Sequence, residues 1–352
     1  MNRLKGLLLA STLIASSAAS ASAEVNVVAS IKPVHSLVAA VMEGVGEPGL
    51  IVEGAGSPHT YALKPSQAEM LEQADLVFWV GHELEAFLAK PLETIGANAR
   101  SIELIDAHDL VKLDFREGGA FEKHDHGEEA GHDDQAHEAT AEAEHDHADE
   151  KTAEAEAEAE HDHAHQETAE AGHDDHDHGA FDAHVWLDPV NAKAMVHEIE
   201  EALVEADPDN ATRYEANADA VTARLDTLIA EVSAELEPVK SKGFIVFHDA
   251  YQYFENRFGI TASGSITVSP EVLPGAERIT EIRARVQELG AACVFAEPQF
   301  EPKLVSTVIE GTPARAETID PLGAGLDAGP ELYFQVIRTM ATSISTCLTD
   351  AG

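Results

Sequence analysis

The chain has 352 residues, a formal net charge of −43, and hydrophobic side chains at 44% of positions. So acidic a protein is a poor partner for nucleic acid or an anionic membrane surface and a good one for cations. The length is enough for two lobes, each with its own core.

Residues 1–23 read as a secretory signal. Arg3 and Lys5 supply the positive start, Leu7 to Ala15 a short apolar core, and Ala21-Ser22-Ala23 a small-residue cleavage site. The apolar run is too short to span a bilayer, and no cysteine adjoins the site. A soluble, exported, periplasmic protein is expected. Cleavage removes two cations and takes the charge from −43 to −45.

From Glu24 short apolar runs alternate with amphipathic stretches. Strands are predicted at Val25–Ile31, Leu50–Val52, Asp75–Val80 and Ser101–Ile105, and helices at Pro33–Glu43, Pro65–Gln73 and Glu83–Ile95. Near Asp114 the pattern stops, and it resumes at Phe181. Twelve of the chain's 19 histidines fall between 124 and 178, and His-Asp-His occurs four times there. From Asp114 to Asp182 there are 25 acidic and 3 basic residues, a net of −22. Such a segment has almost nothing apolar to bury, so a disordered loop at about 116–180 is expected. Its imidazoles and carboxylates are metal ligands: His124, His126, His145, His147, His161, His163, His165, His176 and His178 form the accessory set. Flexible ligands lose entropy on binding, so several weak sites are expected there beside one tight site elsewhere.

Asp207-Pro208 is read as the cap and first turn of a long helix. Tyr214, Val221, Leu225, Leu228, Ile229, Val232 and Leu236 form one apolar stripe along it, and Pro238 ends it. Beyond it, strands are predicted at Phe244–Phe247, Thr261–Ile266, Cys293–Phe295 and Ala316–Ile319, with helices at Ala250–Arg257, Gly275–Leu289, Pro302–Ile309 and Pro330–Thr346. The pattern predicts an α/β fold of two lobes, each a mainly parallel sheet flanked by helices, joined by one long rigid helix. The N-terminal lobe is placed at 24–206, the linking helix at 207–238 and the C-terminal lobe at 239–352.

Three histidines outside the insert stand where strands are expected to meet loops. His59 lies in Gly56-Ser57-Pro58-His59-Thr60-Tyr61, His184 in Asp182-Ala183-His184-Val185-Trp186, and His248 directly after Phe244–Phe247. Asp320 likewise ends a strand. Ligands collect at the carboxyl ends of strands in open α/β sheets. Three imidazoles and a carboxylate make a plausible tetrahedral zinc site, although single histidines at strand ends are more often satisfied polar residues. His35 is read as a helix-surface or interface residue, and His82 as lining the cleft mouth without binding metal. Only Cys293 and Cys347 are present. In an exported protein an even pair suggests one disulfide, worth roughly 4 kcal/mol for so long a loop; two buried thiols are the alternative.

The blocks at 56–66, 182–189, Phe247-His248-Asp249-Ala250-Tyr251 and Asp320-Pro321-Leu322-Gly323 resemble those of the zinc- and manganese-binding substrate-binding proteins of ABC importers, and among these the zinc-uptake ZnuA type. The resemblance covers nearly the whole mature chain and implies two α/β lobes with metal in the cleft between them. It implies His59, His184 and His248 as ligands. It leaves Asp320 or a water as the fourth, because Pro58 stands where some members carry a glutamate. The histidine-rich insert and a matching Cys293–Cys347 disulfide resemble zinc members more than manganese members, and three imidazoles suit zinc. Glu297, in Ala296-Glu297-Pro298-Gln299, resembles a family block near the cleft and is read as orienting a ligand histidine. The implied role is a monomer that delivers zinc to an ABC permease with its cytoplasmic ATPase. The alternatives are a periplasmic zinc buffer, a manganese importer component and a secreted zinc hydrolase. Against the hydrolase, His82-Glu83, His137-Glu138 and His197-Glu198 all lack the second histidine of His-Glu-x-x-His, and Gly-x-Ser-x-Gly is absent.

Overall fold

Short runs of branched and aromatic residues build two parallel sheets. The structure, a computed structural model, describes residues 25–116, 121, 181–267, 274–290, 293–301 and 303–350. The signal segment and the insert histidines His124 to His178 lie outside the described residues. The first sheet contains β1 (Val27–Ala29), β2 (Gly49–Leu50), β3 (Leu76–Trp79) and β4 (Arg100–Glu103), in the order β2-β1-β3-β4. All its pairings are parallel. β1 and β3 are buried along their whole length, as strands covered by helices on both faces must be. Edge strand β4 exposes Arg100 and Ser101.

The second sheet repeats this arrangement with β5 (Phe244–His248), β6 (Ala262–Thr267), β7 (Cys293–Ala296) and β8 (Arg315–Thr318), in the order β6-β5-β7-β8, again all parallel. The helices are α1 (Lys32–Val41), α2 (Pro65–Glu72), α3 (Ala86–Thr94), α4 (Pro189–Ala206), α5 (Ala211–Leu236), α6 (Gln252–Phe258), α7 (Ala276–Leu289), α8 (Lys303–Ile309) and α9 (Leu332–Asp350). None is long and apolar enough to cross a membrane. Two parallel sheets flanked by helices are the α/β architecture expected.

Two readings need correction. The sequence pattern missed α4, whose first turn is held by the Asp188 carboxylate accepting from the Val190 amide at 2.8 Å. The long helix also opens later than expected. Pro208–Asn210 form a separate 3-10 turn, and the helix begins at Ala211. Asp207 spends its carboxylate on the Asn210 side chain (2.7 Å) and the Tyr214 hydroxyl (2.9 Å) instead of capping helix amides. The buried stripe of α5 is Tyr214, Ala218, Val221, Leu225, Leu228, Val232 and Leu236, with Ile229 half-buried beside it.

Cross-links tie the second sheet to the rest. Cys293 of β7 and Cys347 of α9 form a disulfide. Lys32, at the start of α1, is buried and donates to the carbonyls of Gly323 (2.9 Å), Ala324 (3.1 Å) and Leu326 (2.8 Å). A buried ammonium carries a large desolvation cost unless its donors are satisfied, and all three are.

Glu85 braces the carboxyl ends of β1 and β3. It is fully buried, accepts from the Val80 and Gly81 amides at 3.0 Å each, and bonds the Ser30 hydroxyl. Burial pushes its carboxyl up to about 7, against the pull of those hydrogen bonds. A folded value above the unfolded one means that the fold holds an extra proton in between. The linked stability is therefore full below the unfolded value and lost as pH rises through about 7. Glu85→Gln mimics the protonated carboxyl. In denaturant melts of metal-free protein the variant should gain on the wild type between about pH 5 and pH 8, by up to about 3 kcal/mol. A difference that stays constant with pH would contradict this.

Candidate metal centre

Three imidazoles from distant parts of the chain meet at one point. His59 sits in the loop between β2 and α2, and His248 is the last residue of the central strand β5. His184 precedes the 3-10 turn Val185–Leu187 that leads into α4, so it hangs from a turn and not, as expected, from a strand end. His184 and His248 are buried and His59 is partly buried. His184 Nε2 stands 3.3 Å from His59 Nε2 and 3.3 Å from His248 Nε2. Among the described residues this is the group of histidine, cysteine and acidic side chains whose donor atoms converge as a metal requires.

The other ring nitrogens decide what those contacts mean. His184 Nδ1 donates to Asp182 Oδ1 at 2.6 Å, and that oxygen also accepts the His184 amide at 3.0 Å. His248 Nδ1 donates to Glu297 Oε1 at 2.7 Å. With both Nδ1 protons committed, the two Nε2 lone pairs face each other across 3.3 Å. In their neutral, metal-binding form the rings have no proton to share there, and that form calls for a cation between them. Two nitrogens at a zinc–nitrogen distance of about 2.0–2.1 Å and a tetrahedral angle stand about 3.3 Å apart. The observed separation matches that edge.

The electrostatics are divided in the same way. Burial, reinforced by the two neighbouring imidazoles, holds His59 well below its usual value, so its ring is neutral and ready to donate a lone pair. Burial opposes charge on His248 too, but the Glu297 carboxylate prevails and raises it. Ser57, Pro58, Trp186, Phe300, Pro321 and Leu322 close around the imidazoles and leave a cavity of about 10 Å³. That accommodates an ion and excludes an organic ligand, which needs several hundred Å³. A larger cavity of about 610 Å³ lies between α3 and β4, lined by Trp79, His82, Glu93 and Glu103 among others. It brings none of the three imidazoles together, so size alone would point to the wrong place. His82 lines that cavity.

Asp320 is not brought into the group. Its Oδ1 accepts from the amides of Leu322 (3.1 Å) and Gly323 (2.9 Å) and from Gln299 Nε2 (2.9 Å), while Oδ2 accepts the Ala324 amide at 2.6 Å. Aspartate readily caps a turn of this kind, and Gly323, at φ 69°, supplies the left-handed residue the turn needs. The carboxylate is spent on the turn. His35 is buried, not on the helix surface, with its Nε2 3.0 Å from the Pro48 carbonyl. Glu297 stands where its resemblance implied, against a ligand ring. Asp182 carried no assigned role in the sequence, though an aspartate two residues before a candidate ligand was the available signal.

The family model ZnuA, zinc-uptake complex component A periplasmic, matches residues 27–347. The chain is 53% identical over 351 residues to the high-affinity zinc uptake system protein ZnuA of Brucella suis biovar 1 (strain 1330), spanning 99% of this chain and 100% of that one. It is 36% identical over 347 residues to the protein of the same name from Yersinia pestis, spanning 98% of each. A crystal structure of ZnuA superposes with a TM-score of 0.66 at 22% identity, over 92% of this chain and 100% of the other. The periplasmic zinc binding protein TroA from Treponema pallidum gives 0.69 at 16% identity, over 93% and 99%. At those identities the two structures speak to the fold, which this chain shares.

The carboxylates behind the rings are open to test. Asp182→Asn and Glu297→Gln remove the charge that orients a ligand imidazole and raises its basicity. Each should weaken metal binding by about 10- to 100-fold in a chelator competition. Unchanged affinity in both would contradict the orienting role.

Proposed function

The chain belongs to the periplasmic zinc-uptake component A family, and from that premise we propose that it captures one zinc ion between His59, His184 and His248 and hands it to a membrane permease driven by a cytoplasmic ATPase. The observation that carries this reading is the pair of carboxylate-anchored imidazoles, His184 and His248, whose Nε2 atoms face each other at 3.3 Å. Three neutral nitrogen donors suit zinc, whereas manganese prefers oxygen. With Asp320 committed to its turn, a solvent molecule takes the fourth position. The relatives are zinc-uptake proteins, and on that ground the ion is read as cargo and the protein as a carrier and not an enzyme. The long helix Ala211–Leu236 links the two lobes that hold the ion.

The insert histidines collect zinc weakly, or sense its excess, in addition to the tight site. Competitive zinc titration with metal counting separates the two on the mature protein and on a form lacking residues 118–180. One tight zinc should survive the deletion and disappear on adding His59→Ala. Loss of the tight zinc with the insert would make the insert itself the site and the protein a buffer.

A further inference from the structure

Helix α6 begins four residues after His248 and is fastened to the first lobe by side chains along its length. Gln252 Nε2 donates to the Asp114 carbonyl at 2.8 Å. The Tyr253 hydroxyl donates to the Asp182 carbonyl at 2.7 Å and accepts the Leu113 amide at 3.0 Å. Arg257 grips the Asp188 carboxylate through two bonds of 2.6 and 2.7 Å. Arg116 bonds both oxygens of Glu255 (2.7 and 3.1 Å) and both of Asp249, the residue next to His248. Its guanidinium also lies 4.1 Å above the Phe121 ring. Asp114 and Phe181 pair as an antiparallel bridge, so the segments on either side of residues 117–180 are joined where α6 holds them.

These contacts give His184 and His248 a second connection that bypasses the metal. The segment Asp182–Asp188 carries His184, and the segment His248–Arg257 carries His248. Tyr253 and Arg257 bind the first segment directly. Arg116 binds the second through carboxylates that are 6% exposed at Asp249 and 4% at Glu255, where solvent screens little. Without the guanidinium, both buried carboxylates would lose their counter-ion, Glu255 would keep only the Ala262 amide at 2.9 Å, and the segment would lose its tie to residue 116.

We propose that Arg116 and Tyr253 are positioning residues of the zinc site. They set the spacing of His184 and His248 and thereby the rate at which zinc leaves, without touching the ion. The inference rests on the reading that zinc sits among the three imidazoles. A strut of this kind supplies in advance the ordering that the ion would otherwise have to impose, so removing it costs retention. It also means that the segments flanking the insert are mechanically part of the site, and that a partner displacing them would loosen the ion.

The test follows zinc release to excess chelator by stopped flow, together with the visible ligand-field spectrum of the cobalt(II)-loaded protein. The variants are Arg116→Gln, Tyr253→Phe and, as a control, Arg338→Gln, which breaks an exposed pair with Glu231. Each is first shown to be folded by near-ultraviolet circular dichroism. Arg116→Gln and Tyr253→Phe should release zinc about 10- to 100-fold faster and shift the cobalt bands, while Arg338→Gln matches wild type. Should Arg116→Gln fail to fold, Tyr253→Phe, which removes one hydroxyl, carries the test on the same readouts. Release rates and spectra like those of wild type would overturn the proposal. Faster release with unchanged cobalt bands would also overturn it, because that is general loosening. A tight zinc that persists in His248→Ala would instead defeat the siting of zinc at the imidazoles.

Discussion

Holding neutral imidazole lone pairs 3.3 Å apart in a buried place is unfavourable without a cation, and the surrounding architecture exists to impose it. Each constraint can be traced to named groups. Asp182 and Glu297 fix two rings through Nδ1 and so direct the Nε2 lone pairs inward. Burial keeps His59 uncharged. The small cavity, about 10 Å³, has room for an ion and not for an organic ligand. Remove the orienting carboxylates and the imidazoles can turn away; open the cavity and water competes for the ion.

The fold supplies these groups from different layers. Parallel sheets deliver their loops to one end, which is why His248 can terminate a central strand and still face a loop from the other sheet. The lobes are tied across the site as well as through α5. Trp186 Nε1 donates to the Pro321 carbonyl at 3.0 Å, and the Tyr333 hydroxyl to the Trp186 carbonyl at 2.7 Å. Lys32 adds its three carbonyls from the far lobe. The turn that Asp320 caps presents those carbonyls, so this aspartate contributes by shaping the loop under Lys32. The histidine centre thus sits in a frame whose parts are hydrogen-bonded to one another through contacts that do not involve the three imidazoles.

How much of this was legible in the sequence depended on range. Strands such as Phe244–Phe247 and Leu76–Trp79 declare themselves as apolar runs, and the stripe on α5 has its own period. The three histidines stood out because each lay beside such a run or within a distinctive block. Helix α4 was missed because its buried positions, among them Ala192, Met195, Ile199 and Leu203, are diluted by Glu and Ala and follow closely on an insert of similar composition. Asp207 was misjudged, and Asp320 was left open against water, because an aspartate has several local acceptor roles, and the choice among them depends on where neighbouring amides and hydroxyls point. Arg116, 133 positions from Asp249, gives no local signal at all. Its role exists only once the chain has folded.

The most direct measurement is X-ray absorption at the zinc edge on protein lacking residues 118–180 and loaded with one equivalent. That form carries His59, His184 and His248 without the insert's competing imidazoles. The account predicts a shell of nitrogen and oxygen donors at about 2.0–2.1 Å, with the outer-shell scattering of three imidazoles and one further light donor. A shell of carboxylate oxygens with one imidazole or none would contradict it.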